Sequence, residues 1–470
     1  MASNLPEYVA SAQPVPQDGR VPWFKSTAQT YAGIMLWFVF WDSVPATGAA
    51  NPGGILAHGL GTALIAVILA AFICHFASYL APGLMGMKTG LPLAVVGTST
   101  YGVTGGFLMP AFFMGILQFG WLAVNAYFSA QLLAGLAGHA PGSAVHMGIG
   151  IAWALVAAFV GLKGIHYVAK VATVLPLIPL LILLFLAART ISGVGRFEPE
   201  QLGVVVANLD VSSLDLMLIG IANIVGFFAT AGAAGVDIAS SNRNTKDVHL
   251  GGLVGVAGAT IFTGCLALLI VAGTYGTGLM DGKDVTLTPT ALMEAIVGAG
   301  WTKFCWLMLA IAAFPPACFS SLIAAASFKN TLPQVNPFIS VGIGTACSIA
   351  LVLTGWAGDA AGVFGFIGAS FGPICGAMTA DYLLSGCKWP GPRAGFNPAG
   401  WISWAIGFIV GVWPVLGPKL NVSFQIPCAP VAAIVVGFVL YALLAKIGLL
   451  SSTLEMPGAA KPAANEGGKA

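Results

Sequence analysis

Three side chains within one apolar segment have the spacing of a single helical face. Gln118, Trp121 and Asn125 stand at positions i, i+3 and i+7 of the stretch MGILQFGWLAVNAYFSAQ, so a helix brings them to one side. An indole offers a flat π surface, and two amides offer paired hydrogen-bond donors and acceptors. The set predicts a site for a planar heterocycle with ring nitrogens and carbonyls at its edge. The alternative is a polar clamp between helices, with the tryptophan packed beside it.

The chain that carries these residues is too apolar to build a water-facing surface. Of its 470 residues 58% are apolar and 7% are charged, against roughly 25% charged in a soluble domain. The apolar residues form blocks of about twenty, the length that crosses the hydrocarbon of a bilayer as a helix. The sequence therefore predicts an all-α integral membrane protein with about twelve transmembrane helices. The predicted spans lie near 28–50, 55–81, 106–137, 143–161, 167–187, 213–239, 249–274, 300–330, 338–355, 359–384, 399–417 and 427–448.

Composition also excludes several classes of function. The net charge of +2 is small and scattered, so nucleic acid is not a predicted partner. The eight cysteines stand singly along the chain, without the spacing of metal ligands. They therefore predict neither disulfides nor a metal site, and the sequence does not say whether a metal ion binds elsewhere. An enzyme is disfavoured because no catalytic motif occurs, and a channel because no repeated filter sequence occurs.

The loops between the predicted spans differ in positive charge. Thirteen of the 18 Lys and Arg residues fall in the loops on the side of the N-terminus, and five fall on the other side. The positive-inside rule then predicts a multi-pass protein of the cell membrane, plasma or inner, with both termini cytoplasmic. We expect a cytoplasmic segment at 1–27, a transporter domain at 28–448 and a disordered cytoplasmic tail at 449–470.

Two predicted spans are interrupted at matching places, the first and, five spans later, the sixth. The first reads GIMLWFVFWDSVPATGAANPGG, which Asp42, Pro45 and Gly48 are predicted to break near its middle. The sixth reads NIVGFFATAGAAGVD, with three glycines among small residues. Broken helices at matching positions of two halves indicate a transport site at the membrane midplane. The alternative is that the glycines only let helices pack closely.

Asp42 is the acidic residue assigned nearest to the middle of a span. An ionisable group at that depth is costly, which makes it a functional candidate by default. Its carboxyl group could carry a proton that is coupled to transport. Alternatively, it could cap the N-terminal end of the outer half of the broken first helix. The sequence leaves both hypotheses open.

Several motifs of the chain resemble those of the nucleobase:cation symporter-1 family, particularly its purine and cytosine permease branch. They are KTGLPLAVVGTSTYGVTGG and QFGW, NRNTKDV after the sixth span, and PICGAMTADYLLSG with FNPAGWISWAIGFIVG around the tenth and eleventh. The resemblance extends from about Tyr31 to Gly411. It implies a five-plus-five inverted repeat of the LeuT type with two extra C-terminal helices.

The resemblance also implies roles for single residues. Trp121 matches the tryptophan that stacks on the substrate ring in this family. Gln118 falls on the amide that precedes it in cytosine permeases, and Asn125 falls on an amide one turn later. Phe228 matches the aromatic residue that closes the other face of the ring, so the base is expected between Trp121 and Phe228.

The eighth predicted span departs from the family pattern. It reads AIAAFPPACFSSLIAAASFKN, so the segment 315–319 replaces asparagines and hydroxyl residues that relatives use for substrate and sodium. Phe319 is the candidate substrate contact here, and Ser320 and Ser321 are candidate cation ligands one turn further on. No cofactor is expected beyond a coupling cation, H⁺ or Na⁺, and the prolines favour H⁺.

These inferences predict cation-coupled import of a nucleobase or a related heterocycle, of the cytosine, purine, allantoin or hydantoin type. The alternative is a symporter of the same fold for a different small solute, such as an amino acid. The expected partners are the heterocyclic substrate, the coupling cation and the lipid bilayer, while the oligomeric state is left open.

Overall fold

The computed structural model describes residues 5–48, 53–206, 209–332 and 334–456, and this part of the chain is helical with no β-strand. Within it, nine helices are long and apolar enough to cross a membrane, and one bent pair of helices adds a tenth span. We number the spans from 1 to 12. Span 1 consists of two short helices, Thr27–Met35 and Phe38–Ala46. The others are Leu60–Thr89, Phe107–Leu136, Ala144–Lys163, Leu177–Arg196, Ser213–Ala233, Thr245–Gly276, Ala299–Thr331, Pro337–Leu353, Ala360–Leu384, Pro398–Gly411 with Trp413–Lys419, and Ala429–Lys446.

All twelve predicted spans overlap one of these helices, which confirms the fold class, and the largest displacement of a boundary is in span 5. Span 5 begins at Leu177, ten residues after the predicted start at 167. The residues before it form a separate short helix, Ile165–Ala172, that ends in turns leading to Pro176. Proline disfavours a helical conformation in the residue that precedes it, so the two helices do not merge.

The break in span 1 lies at another position than the sequence suggests, whereas the break in span 6 lies between Gly232 and Gly235, among the glycines of the predicted interruption. Span 1 is interrupted at Leu36 and Trp37, and Asp42 lies inside its second helix. Span 6 stays helical through Gly226 and is interrupted at Ala234. A Cβ atom at Gly226 would lie 2.5 Å from the carbonyl oxygen of Phe364. The role of Gly226 is therefore close packing against span 10, as the alternative interpretation of these glycines predicts.

Spans 6–10 repeat the packing of spans 1–5. Span 2 packs on span 6, and span 7 packs on span 1. In the same way, span 4 packs on span 8 and span 9 on span 3, while span 5 packs on span 7 and span 10 on span 2. In each of these three pairs of contacts, adding five to one span number and subtracting five from the other converts the first contact into the second. This relation is expected of a five-plus-five inverted repeat. Spans 11 and 12 lie outside this repeat and pack on span 10.

A buried ion pair joins the loops that carry most of the recognisable motifs. Arg393, in the loop between spans 10 and 11, donates to Asp381 Oδ1 of span 10 at 2.8 Å, and the two side chains are 5% and 1% exposed. The hydroxyl of Tyr441 in span 12 donates to the same oxygen at 2.8 Å. Ser99, between spans 2 and 3, donates to Asp381 Oδ2 at 2.7 Å. Four separate segments therefore meet at one carboxylate.

The first residues after span 12 lie on the same loop. The amide of Ser451 donates to Asn397 Oδ1 at 3.1 Å, and the amide of Leu454 donates to the carbonyl of Pro392 at 2.7 Å. The sequence predicts disorder for the tail from residue 449, and this part of the tail is hydrogen-bonded to the loop between spans 10 and 11. Residues 457–470 lie outside the described ranges.

We expect Arg393→Ala to destabilise the protein strongly, because it leaves the Asp381 carboxylate buried without its cation. Breaking a buried pair on one side costs about 3–5 kcal/mol. The measurement is the melting temperature of the purified protein in detergent. Arg243→Ala is the control: Arg243 pairs with Asp247, whose side chain is 5% exposed, but the Arg243 side chain is 51% exposed, so water screens this pair and its contribution is smaller. Equal losses in the two variants would contradict the structural role of Asp381.

Candidate functional site

Trp121 lies in a cluster of four aromatic rings that come from spans 1, 3, 6 and 10. The centroid of its ring is 5.2 Å from Phe227, 5.6 Å from Phe364 and 5.9 Å from Trp37. The Phe227 and Trp37 contacts are edge-to-face, and the Phe364 ring is tilted by 35°. These are favourable geometries for aromatic pairs. Trp37 reaches the cluster because it occupies the break in span 1.

Phe228 lies on a different side of span 6 from the Trp121 cluster. Its side chain is fully buried, and its ring centroid is 5.5 Å from that of Tyr31 in span 1. Consecutive residues of an α-helix point about 100° apart, because the helix has 3.6 residues per turn. Two adjacent phenylalanines therefore cannot both face span 3. The span-6 ring that opposes Trp121 is Phe227 and not Phe228.

Span 6 also presents polar groups on the face that meets Trp121. The indole N–H of Trp121 donates to Thr230 Oγ1 at 3.2 Å. Asn223, Phe227 and Thr230 stand at i, i+4 and i+7, so they share that face. In the described part of the chain, neither Nδ2 of Asn223 nor the indole N–H of Trp37 has a hydrogen-bond partner, although both atoms are buried. Buried donors of this kind are rare and call for an explanation such as a ligand acceptor.

The two amides of span 3 have different surroundings. Gln118 is buried one turn before Trp121, and its Nε2 donates to the sulfur of Met114 at 3.6 Å. A thioether is a weak hydrogen-bond acceptor, so the Gln118 amide loses little free energy when it exchanges this bond for one to a ligand. Gln118 therefore remains a good candidate for reading the edge of a bound ring.

Asn125 is 2% exposed and joins three spans. Its Nδ2 donates to the carbonyl of Ala313 in span 8 at 2.9 Å. Its Oδ1 accepts from the indole of Trp153 in span 4 at 3.0 Å and from the hydroxyl of Ser129 at 3.3 Å. Both lone pairs of the amide oxygen are thus occupied. This is the interhelical clamp that the sequence offered as the alternative.

The candidates in span 8 lie away from the Trp121 cluster or are bonded locally. Phe319 packs in a hydrophobic cluster built by spans 3, 4, 8 and 9. Ser320 Oγ donates to the carbonyl of Pro316 one turn earlier, at 3.2 Å. Ser321 faces Gly161 of span 4, and its buried hydroxyl has no partner among the described residues. The structure does not bring Phe319 or Ser321 to the rings around Trp121.

Asp42 is 8% exposed and binds a helix of the other repeat. Its Oδ1 accepts the backbone N–H of Thr290 at 2.8 Å, and its Oδ2 accepts the hydroxyl of the same residue at 2.7 Å. Thr290 is the second residue of Pro289–Val297, the 7–8 connecting helix between spans 7 and 8. A carboxylate at the first turn of a helix accepts hydrogen bonds from the free N–H groups there and interacts favourably with the positive end of the helix dipole. This geometry supports a capping role for Asp42, on a different helix from the one predicted.

The residues that sequence reasoning missed are those whose identity depends on packing: Trp37, Asn223, Phe227, Thr230 and Phe364. Trp37 had a signal in the sequence, because it lies within the apolar stretch that was expected to break. Phe227 is adjacent to Phe228, the residue that the sequence predicted for this role. Neither Asn223 nor Phe364 carries a local pattern that separates it from an ordinary residue of a buried helix.

The repeat, the broken spans and an uncharged aromatic site between them define a multi-pass membrane transporter. A family model described as a permease for cytosine/purines, uracil, thiamine and allantoin matches residues 20–387. The chain belongs to this permease family. No curated protein sequence matches the chain.

Solved structures share the fold over nearly the whole chain. An inward-facing conformation of Mhp1 aligns with a TM-score of 0.65 and 14% identity, covering 96% of this chain and 97% of Mhp1. Mhp1, a nucleobase-cation-symport-1 family transporter, also aligns in a closed conformation with bromovinylhydantoin bound (TM-score 0.61, 15% identity, 95% and 97% covered). A substrate-bound, outward-open Na⁺-coupled sialic acid symporter aligns at 0.56 and 13% identity, with 96% and 93% covered. The fold is thus that of cation-coupled symporters of the LeuT type.

We expect Asn125→Ala to lower the melting temperature of the ligand-free protein. The substitution leaves the indole N–H of Trp153 without its partner, at about 1–3 kcal/mol for a buried group left unsatisfied, and removes the bond to the carbonyl of Ala313. Gln118→Ala is the control on the same helical face, and its weak sulfur contact predicts a smaller loss. If Asn125→Ala kept its melting temperature and lost only ligand binding, Asn125 would return to the substrate site.

Proposed function

We propose that this protein is a cation-coupled symporter that imports a neutral nucleobase or a related heterocycle, bound against the ring of Trp121. The observation that carries the proposal is the aromatic cluster, with buried N–H groups of Trp37 and Asn223 that have no partner in the described part of the chain. Carbonyl oxygens and ring nitrogens at the edge of a nucleobase are the acceptors that such donors match.

The side chains around Trp121 support an uncharged substrate. Trp37, Phe227, Phe364 and Thr230 contact the indole of Trp121, and none of them is ionisable at neutral pH. A buried charge without a counter-charge costs several kcal/mol. A zwitterionic amino acid brings two such charges, so the cluster favours a neutral heterocycle over the amino acid alternative.

Among the rings that contact Trp121, Phe364 is the one nearest to a parallel arrangement, with an angle of 35° between the two planes. Their centroids are 5.6 Å apart. A base inserted between them needs about 7 Å, twice the contact distance between carbon atoms. Binding in this mode therefore requires spans 3 and 10 to separate by about 1.4 Å. Stacking on each ring contributes roughly 1–3 kcal/mol, which offsets the cost of opening.

The coupling ion and the orientation are separate proposals. The segment 315–319 lacks hydroxyl groups where relatives hold sodium, which favours H⁺. The two hydrogen bonds of Asp42 leave that carboxylate engaged as a cap, which favours Na⁺ instead. Uptake with sodium replaced by choline, and uptake with a protonophore, separates the two ions. The excess of Lys and Arg in alternate loops supports cytoplasmic termini.

The substrate class is tested by thermal shift on the purified protein, with and without sodium. The panel contains cytosine, adenine, uracil, allantoin, hydantoin and several amino acids. A ligand at 100 times its Kd stabilises the native state by about 2.7 kcal/mol. We expect shifts from heterocycles only, followed by saturable uptake of the same compounds in reconstituted vesicles. A shift from an amino acid alone would overturn the proposal.

We expect Trp121→Ala to abolish saturable uptake of the compound that the panel identifies, because the substitution removes one stacking face. Trp121→Phe keeps a smaller π surface and should retain part of the affinity. Both variants are compared at equal amounts of folded protein in the membrane. Normal uptake by Trp121→Ala would move the site elsewhere.

Phe227→Leu and Phe228→Leu form a matched pair on adjacent positions of span 6. We expect Phe227→Leu to weaken binding about two- to twelvefold, because it removes the edge-to-face contact that positions the ring of Trp121, worth about 0.5–1.5 kcal/mol. Phe228→Leu should change the melting temperature and leave the Kd of the ligand unchanged. The measurement is ligand titration on both variants. The reverse result would restore Phe228 as the stacking residue.

A further inference from the structure

Asp42 and Asp237 occupy equivalent places in the two repeats. Each lies after the interruption of a broken span, Asp42 in Phe38–Ala46 of span 1 and Asp237 in Gly235–Ala239 of span 6. Both carboxylates are directed at a helix outside their own span. Asp42 accepts the N–H of Thr290 at 2.8 Å, and Asp237 accepts the N–H of Leu93 at 2.8 Å.

The two helices that these carboxylates bind are themselves equivalent. Leu93 begins the 2–3 connection, Leu93–Val96 followed by Thr98–Tyr101, and Thr290 lies in the first turn of the 7–8 connecting helix. Adding five to the span numbers converts span 2 into 7 and span 3 into 8. A hydrogen bond between a broken span and a connection is therefore built twice, but Asp42 is buried and makes two bonds to Thr290, whereas Asp237 is exposed and makes one to Leu93.

Each connection ends at a glycine with the same unusual backbone conformation. Gly102 follows the 2–3 connection with φ 83° and ψ 161°, and Gly298 follows the 7–8 connecting helix with φ 80° and ψ 160°. This region of backbone space is essentially restricted to glycine. Span 8 begins directly after Gly298, and span 3 begins five residues after Gly102. A carboxylate cap, a short helix and a glycine thus recur in the same order.

Thr290 is held from two sides, and the strengths of the bonds decide which side it follows. Its N–H and hydroxyl both donate to the Asp42 carboxylate, at 2.8 and 2.7 Å. Its carbonyl accepts one bond from the indole of Trp306 in span 8, at 3.0 Å. A hydrogen bond to an ionised group is roughly twice as strong as a neutral one. The 7–8 connecting helix also packs on spans 5, 7 and 8, and we expect the stronger bonds to Asp42 to keep it with span 1 when spans 1 and 8 separate.

We propose that Asp42 and Asp237 are positioning residues that fix the two connections to the broken spans 1 and 6, and that Gly298 and Gly102 are the joints about which spans 8 and 3 turn. Spans 1 and 6 contribute Trp37 and Phe227 to the site, whereas span 3 contributes Trp121. Rotation at the joints therefore opens the aromatic cluster without distorting any long helix.

The two joints differ in how tightly they are packed. A Cβ atom at Gly298 would meet nothing within 4 Å. A Cβ atom at Gly102 would collide with the carbonyl oxygen of Gly395, in the loop between spans 10 and 11. That loop is held by the ion pair of Arg393 and Asp381. Gly298 therefore has no close contact at this point, whereas Gly102 is packed against the loop, so we expect the larger movement on the side of the 7–8 connecting helix.

Hydrogen–deuterium exchange of the full-length protein in detergent tests the caps without any substrate. Asp42→Ala should speed exchange of the peptide 289–297 by about five- to thirtyfold, and Asp237→Ala should do the same for 93–101. Asp359→Ala is the matched control, because Asp359 caps span 10 itself, accepting the N–H of Gly362 at 2.9 Å. Its effect should stay at the start of span 10. Unchanged exchange at both connections would overturn the assignment.

Transport kinetics separate positioning from a purely structural role. Uptake of radiolabelled cytosine and of allantoin is measured in reconstituted vesicles. Asp42→Ala and Asp237→Ala should lower Vmax about fivefold with KM unchanged. Asp42→Asn and Asp237→Asn should restore it, because the amide oxygen still accepts the backbone N–H. If Asp42→Asn lost accumulation while exchange of 289–297 stayed slow, Asp42 would be a proton carrier and this assignment would fail.

The joint is tested by two alanine substitutions that are two residues apart. Gly298→Ala places a methyl group in open space but strains the backbone, so it should lower Vmax and leave the Kd in the thermal-shift panel unchanged. Gly300→Ala also points into open space with an ordinary helical backbone, and it should behave as the parent protein. Equal effects from the two would overturn the joint. If neither compound is taken up by the parent protein, the proposed substrate class fails, and the exchange experiment still decides the caps.

Discussion

The buried pair of Asp381 and Arg393 is the interaction on which one end of the molecule depends. Removing two charges from water costs several kcal/mol each, and the pair is stable only if further hydrogen bonds satisfy both groups. Tyr441 and Ser99 supply those bonds, so spans 10 and 12 and two loops have to be in place together. This demand for particular partners explains why the recognisable motifs lie in these loops. A lipid-facing position demands only an apolar residue.

Most of the fold was predictable because the bilayer fixes the length of a spanning helix. Apolar block length alone located all twelve spans, and the family motifs supplied the inverted repeat. The breaks were not predictable in the same way. Asp42 and Pro45 suggest an interruption, yet they lie within a helix, because the carboxylate finds its partner on a connecting helix 248 residues away. Gly226 suggests flexibility, and it serves contact with the backbone of Phe364.

Of the four rings in the aromatic cluster, the sequence pointed only to Trp121, and the reason is physical. A helix that is apolar on all sides gives no signal of which face is turned inward. Phe227 and Phe228 are chemically identical, so only tertiary packing decides which ring meets Trp121. The amides of Gln118 and Asn125 have the same donors and acceptors. Their different surroundings appear only once spans 4 and 8 are in position around Asn125.

The place of Tyr441 in the sequence has a consequence for biosynthesis. Arg393 leaves the ribosome 12 residues after Asp381, but Tyr441 follows only after 60. At roughly 5–20 residues per second, the carboxylate waits about 3–12 s for its last ligand. A nascent chain therefore has eleven spans and the ion pair of Arg393 and Asp381 before the hydroxyl of Tyr441 is available to the carboxylate. Synthesis of the final helix completes this site, so a chain that stops before span 12 lacks one of the hydrogen bonds that stabilise the buried pair.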